Sequence, residues 1–136
     1  MEPSSSEAKL NVLVVDDDDC IREVLTILLS RREYRCQSAT NGIEAMQKVR
    51  QSNFDAVITD LQMPEMDGVV LTRELRQYFS DLPVMVMTGQ PDGSLVESAI
   101  TAGAREVIRK PFAISELTVR LHRMLHVQEP APEQRA

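Results

Sequence analysis

Asp16, Asp17, Asp60 and Lys110 each sit directly after, or one residue beyond, the close of an apolar run. Val12-Leu13-Val14-Val15 stops at Asp16-Asp17, Phe54 to Thr59 stops at Asp60, and Val107-Ile108-Arg109 stops at Lys110-Pro111. If these runs are neighbouring strands of one parallel sheet, three carboxylates and an ammonium converge on one edge. That is the edge where open α/β sheets place their sites. Like charges about 4 Å apart repel by about 4 kcal/mol at an effective dielectric of about 20, so the cluster calls for a cation or a proton. All-oxygen donors on an open edge suit Mg2+ or Mn2+, and Mg2+ takes only one or two carboxylates and keeps several waters. Beside such a metal an aspartate oxygen can attack a phosphoryl group and hold it as an acyl phosphate. The chain's work is then positioning and charge neutralisation.

Lys110 offers a compact point charge for a phosphoryl oxygen. The Lys110-Pro111 bond reads as a candidate cis peptide that turns the ammonium inward. Thr88-Gly89 follows a further apolar run, Val84 to Met87; a hydroxyl there could donate to a phosphoryl oxygen, or simply cap a turn. Asp18 and Asp19 read as acidic caps of the next helix. His122 and His126 lie late in the chain on a helical pattern and read as surface residues.

The elements that must position these groups alternate in type. Residues 10–15 read as a buried strand, and Ile21, Val24, Leu25, Leu28 and Leu29 recur at helical spacing behind them. Residues 34–39 alternate as an edge strand would. Asn41-Gly42 opens a second helix to about Ser52, and residues 54–59 form the third strand. Pro64 and Gly68 bracket a loop before a helix to Tyr78. Residues 84–87 form the fourth strand, and a glycine-rich loop follows at 89–93. Asp92 or Ser94 caps a helix to Ala102-Gly103. Residues 105–109 form the fifth strand, and Ser115 starts the last helix. Five such units imply an α/β, doubly wound parallel sheet with helices on both faces.

Residues 1–9 read as a disordered start, 10–126 as the folded unit, and 127–136 as a flexible tail or linker stub. The 136 residues suit one core, and the net charge of −6 argues against direct nucleic-acid binding. Cys20 and Cys36 fall in no metal-ligand spacing and read as reduced thiols. No signal-peptide pattern and no apolar stretch of roughly 20 residues is present, so a soluble cytoplasmic protein without membrane contact is expected.

Taken together these stretches resemble the receiver domain of bacterial two-component response regulators, the CheY-like family. The resemblance rests on Val14-Val15-Asp16-Asp17, the run Asp60-Leu61-Gln62-Met63-Pro64-Glu65-Met66-Asp67-Gly68, Thr88-Gly89, Ala102-Gly103-Ala104 and Lys110-Pro111-Phe112. It spans about residues 10–126. It implies a flavodoxin-like sheet in the order 2-1-3-4-5. It also implies that Asp60 is the phosphoacceptor, served by a sensor histidine kinase or phosphotransfer protein. Asp17, Asp60 and the backbone carbonyl of Gln62 would hold Mg2+, and Asp16 would act through water. Thr88 and Lys110 would hold the phosphoryl oxygens, with Gln62 and Gln90 flanking the entrance. A downstream effector protein or domain would read the face of the fourth helix, fifth strand and fifth helix, and the chain itself would be a monomer or a phosphorylation-dependent dimer. The only catalysis expected is the domain's own Mg2+-dependent phosphorylation and dephosphorylation.

One position departs from the family's habit. Tyr or Phe often stands three residues before the lysine, and here it is Val107. Valine is small and stiff at χ1, so Thr88 and the 89–93 loop are expected to carry the switch. Two other readings stay open. Asp16-x-Asp18-x-Cys20 approaches the DxDxT pattern of haloacid-dehalogenase-like hydrolases. A pseudo-receiver would use the fold only to bind protein.

Overall fold

The computed structural model describes residues 9–89 and 93–126. The expectations for residues 1–8, Gln90, a cap at Asp92 and the tail lie outside them. Five parallel strands, β1 (Leu10–Val15), β2 (Tyr34–Ala39), β3 (Ala56–Asp60), β4 (Val84–Thr88) and β5 (Glu106–Arg109), form one sheet in the order β2-β1-β3-β4-β5. They alternate with α1 (Asp19–Ser30), α2 (Gly42–Gln51), α3 (Gly68–Tyr78), α4 (Gly93–Ala102) and α5 (Ile114–His126). This is the expected doubly wound order, with the alternating strand at one edge.

Because successive side chains of a strand point to opposite faces, the apolar runs feed two cores. Leu13, Val15, Val57, Val84 and Val86 pack with Ala45 and Met46 of α2, Leu71 and Leu75 of α3, and Ala99 of α4. Val12, Val14, Ile58, Met85, Met87 and Ile108 pack with Leu25 and Leu29 of α1 and with Leu117, Leu121 and Met124 of α5. Each fully buried aliphatic side chain stabilises the fold by roughly 1.5–3 kcal/mol, so the central strands are anchored from above and below. With Trp absent from the chain, this filling falls mostly to Val, Leu, Ile, Met and Ala, with Tyr34 the buried aromatic.

Several boundaries shift from their sequence expectation. The third strand begins at Ala56 rather than at 54, because the Asp55 carboxylate takes the Asn11 N–H (2.7 Å) and the ladder pairs only from Val12 with Ala56. That strand ends on Asp60 itself, and β4 includes Thr88, whose carbonyl accepts from Lys110 N–H at 2.7 Å. β5 begins at Glu106, opposite Met85. Ser94 is not a cap: α4 already begins at Gly93, so Ser94 is its second residue. α5 starts at Ile114, one residue early. Gly103 closes α4 with φ 116°, a conformation glycine adopts without steric cost. His122 and His126 are exposed on α5, and both cysteines are free thiols. Among the described residues no helix is long and apolar enough to cross a membrane.

Candidate functional site

Backbone hydrogen bonds bring the strand ends into one layer. Asp16 N–H donates to Ala39 C=O (3.2 Å), Leu61 N–H to Met87 C=O (2.9 Å) and Lys110 N–H to Thr88 C=O (2.7 Å). In consequence Asp16, Asp17 and Asp60 each offer an oxygen within 4.8 Å of the other two. Lys110 Nζ stands 3.1 Å from Asp16 Oδ2 and 3.2 Å from Asp60 Oδ1. Asp16 is 1% exposed and Asp60 8%, whereas Asp17 faces solvent. The Lys110-Pro111 peptide is cis, as expected.

The electrostatics follow from this packing. Burial pushes the Asp60 carboxyl above its ordinary value. Lys110 draws it down, but the charges of Asp16 and Asp17 push with the burial, and the net shift is upward. For Lys110, burial alone would lower the ammonium's pKa. Asp60 and Asp16 outweigh it, so the group is raised and keeps its charge through neutral pH. Three carboxylates against one ammonium leave two negative charges without a partner, which is the charge of one divalent cation. The oxygen-only donors on an open edge fit Mg2+ in both chemistry and charge.

The flanking loops fix the cluster. Asp18 caps α1, accepting from Cys20 and Ile21 N–H, while its own N–H donates to Asp16 Oδ1 at 2.9 Å. Asp18 is thus a cap that also anchors a site carboxylate. Asp19 pairs with Arg22. After β3 the chain turns through Glu65 (φ 72°) and returns at Gly68, whose N–H donates to Leu61 C=O at 2.8 Å. Gln62 lies exposed in this loop, two residues beyond Asp60. Thr88, 4% exposed, ends β4 one residue past Met87, the partner of Asp60 in the ladder.

Sequence reasoning missed Arg22, whose Nη1 donates to the Asp16 carbonyl at 2.8 Å. The signal was the Asp19–Arg22 spacing of three on a helix, which reads as an ordinary surface pair. Beside Lys110, a largely apolar cleft of about 580 Å³ opens between α1 and the β5–α5 loop. Ile21, Val24, Leu28 and Phe112 help to line it.

Residues 12–122 match the family model of the response regulator receiver domain. The chain belongs to the response regulator receiver family. Over 121 residues the receiver domain is 36% identical to the response regulator MprA of Mycobacterium leprae, covering 89% of this chain and 53% of that protein. It therefore spans about half the length of the curated relatives it matches. Among solved structures it is similar to the chemotaxis protein CheY4 of Vibrio cholerae, at TM-score 0.83 and 29% identity, covering 87% of this chain and 100% of that one. A putative response regulator from Chloroflexus aurantiacus gives TM-score 0.81 at 34% identity, over 86% of this chain and 98% of that one. The receiver domain is thus a signalling domain of two-component systems, and its acids are grouped where its sequence placed them.

Proposed function

We propose that this domain is a phosphorylation switch in which Asp60 accepts a phosphoryl group from a sensor histidine kinase or phosphotransfer protein. The observation that carries the reading is the Lys110 ammonium bridging Asp16 and Asp60 beside two uncompensated negative charges. Asp17, Asp60 and the backbone carbonyl of Gln62 would hold Mg2+, and Asp16 would act through water. When bound, Mg2+ neutralises charge on the phosphoryl oxygens. An Asp60 oxygen forms the new bond to phosphorus as the bond to the donor's nitrogen breaks, and the electron pair leaves with the donor. Roughly two negative charges then stand where Asp60 carried one. Lys110 exchanges its carboxylate partner on Asp60 for a phosphoryl oxygen, and the Thr88 hydroxyl donates to another. Those two movements bias the α4–β5–α5 surface between states of different affinity for an effector.

The metal assignment has a direct test. Adding Mg2+ to metal-free protein is expected to raise the unfolding midpoint, by the equivalent of about 2.7 kcal/mol at a hundredfold excess over Kd. Asp17→Asn should remove most of that shift in differential scanning calorimetry. An equal shift in both proteins would exclude Asp17 as a ligand.

The apolar cleft beside Lys110 suits the protein that delivers the phosphoryl group. Val24, half exposed on its rim, can be changed without disturbing the core. Val24→Asp is expected to slow transfer from a phosphorylated protein donor at least about tenfold, the scale of one lost interface anchor. Labelling by acetyl phosphate should be unchanged. If both rates fall together, the cleft is not the docking surface.

Val107 bears on transmission. It is half-buried against the same core as Leu95 and Ala104, and its carbonyl accepts from Arg120 Nη1 at 3.1 Å. Val107→Tyr is expected to leave the phosphorylation-linked chemical-shift changes at Thr88 and Gly89 unaltered, because a valine-based switch does not use an inward ring. Larger changes in the tyrosine variant would show that transmission is impaired in the native chain.

A further inference from the structure

Arg22 carries a charge on the first turn of α1, yet its side chain is only 15% exposed. Long cationic side chains on a helix face ordinarily point to water. This one folds back over the loop that precedes its own helix. One guanidinium nitrogen donates to the Asp16 carbonyl at 2.8 Å and another pairs with the Asp19 carboxylate.

The carbonyl of Asp16 belongs to the same planar peptide unit as the N–H of Asp17. Fixing that oxygen fixes ψ of Asp16 and φ of Asp17 together, and so the direction in which the Asp17 side chain leaves the backbone. Asp16's own carboxylate is fixed twice, by Asp18 N–H and by Lys110. Asp17 differs: among the described residues its carboxylate makes no hydrogen bond. Among the described residues, the backbone alone holds it beside Asp60.

We infer that Arg22 is a positioning residue of the metal site: by gripping the Asp16 carbonyl it holds the Asp17 carboxylate toward Asp60. The inference rests on the metal site proposed above. A bare cation next to three acids would weaken divalent-ion binding. Here Asp19 takes up that charge, so the orienting effect decides the sign. Lysine is a poor replacement, since its one ammonium lacks the planar fork whose two nitrogens separately reach the Asp16 carbonyl and the Asp19 carboxylate.

The test is Mn2+ binding to the full chain, followed by loss of the free-ion paramagnetic resonance signal. Native protein should bind, and Asp17→Asn should bind at least about tenfold more weakly. Arg22→Met is expected to raise the Mn2+ Kd roughly tenfold, the usual size of an outer-layer effect on a metal site. Arg22→Lys, which retains charge and stem, should raise it at least about threefold and decides the matter if the methionine variant does not fold. In metal-free Arg22→Met, amide exchange at residues 16–18 should quicken while exchange in β3 and β4 stays as in the native protein. Native affinity, or tighter binding, in both Arg22 variants would overturn the inference while leaving the metal site in place. Failure of the native protein to bind Mn2+, or of Asp17→Asn to weaken it, would instead remove the site and the inference with it.

Discussion

Gly68→Ala is expected to destabilise the domain by about 2–3 kcal/mol, the cost of forcing an extra carbon into a packed site. Helix propensity alone predicts the opposite sign, since alanine is better than glycine in a helix by about 1 kcal/mol. Packing reverses the sign. A Cβ on Gly68 would stand 2.4 Å from the Asp60 carbonyl oxygen and 2.7 Å from Leu61 Cα. Both are backbone atoms of the strand end that carries the site, and neither can swing aside as a long side chain would. Relief therefore moves either the start of α3 or the backbone of Asp60, and the Gly68 N–H to Leu61 C=O bond is strained in both cases. Urea unfolding measures the loss, and acetyl phosphate labelling of the folded fraction should be slower than native. Gly93→Ala is the matched control: a Cβ there meets nothing within 4 Å, so its stability should not fall. If Gly68→Ala is as stable as the native protein, the close approach is misplaced.

The second large effect is at Asp60. Asp60→Asn should abolish phosphoryl labelling, a loss of at least about a hundredfold, because the amide removes the attacking carboxylate oxygen. It should also raise stability in metal-free buffer at neutral pH. The folded Asp60 carboxyl has a raised pKa, chiefly from burial. A group raised in the folded state contributes stability below its unfolded pKa and loses that contribution as pH rises through the folded pKa. The native protein therefore carries the cost of an ionised Asp60 at neutral pH, and asparagine does not. The advantage of Asp60→Asn should shrink as pH falls through the carboxylate range. It should shrink also when Mg2+ is added to the native protein. A stability difference that is flat with pH would show that Asp60 is not electrostatically frustrated.

Much of this was legible in the residues, because the pattern that makes a central strand also points to its end. Val12 to Val15 and Val84 to Val86 are short, rich in β-branched residues and apolar on both faces, which fits interior strands. Their boundaries were less legible, since those depend on who bonds to whom. Asp55 looks like part of a strand until its carboxylate is seen to occupy the Asn11 N–H. Thr88 looks like the first loop residue until Lys110 N–H is seen on its carbonyl. The grouping of Asp16, Asp17 and Asp60 follows from strand order, which topology rules supply. The direct pairing of Lys110 with Asp16 does not follow from it: the resemblance placed Asp16 behind a water and Lys110 on a phosphoryl oxygen, and the ion pair depends on side-chain reach across two strands. Arg22 was hidden for a related reason. Its partner is a backbone carbonyl, and carbonyls leave no mark in a sequence.

The residue to which a phosphoryl group attaches is the most direct test of the switch. Native protein incubated with acetyl phosphate and Mg2+ should gain the mass of one phosphoryl group, and borohydride reduction followed by peptide mapping should place it on Asp60. The gain should be absent without Mg2+ and absent in Asp60→Ala. A phosphoryl group found on Asp16, or one that persists in Asp60→Ala, would contradict the account and point to the hydrolase-like reading. Native protein that never takes up the group, with metal demonstrably bound, would contradict it in favour of a domain that only binds protein.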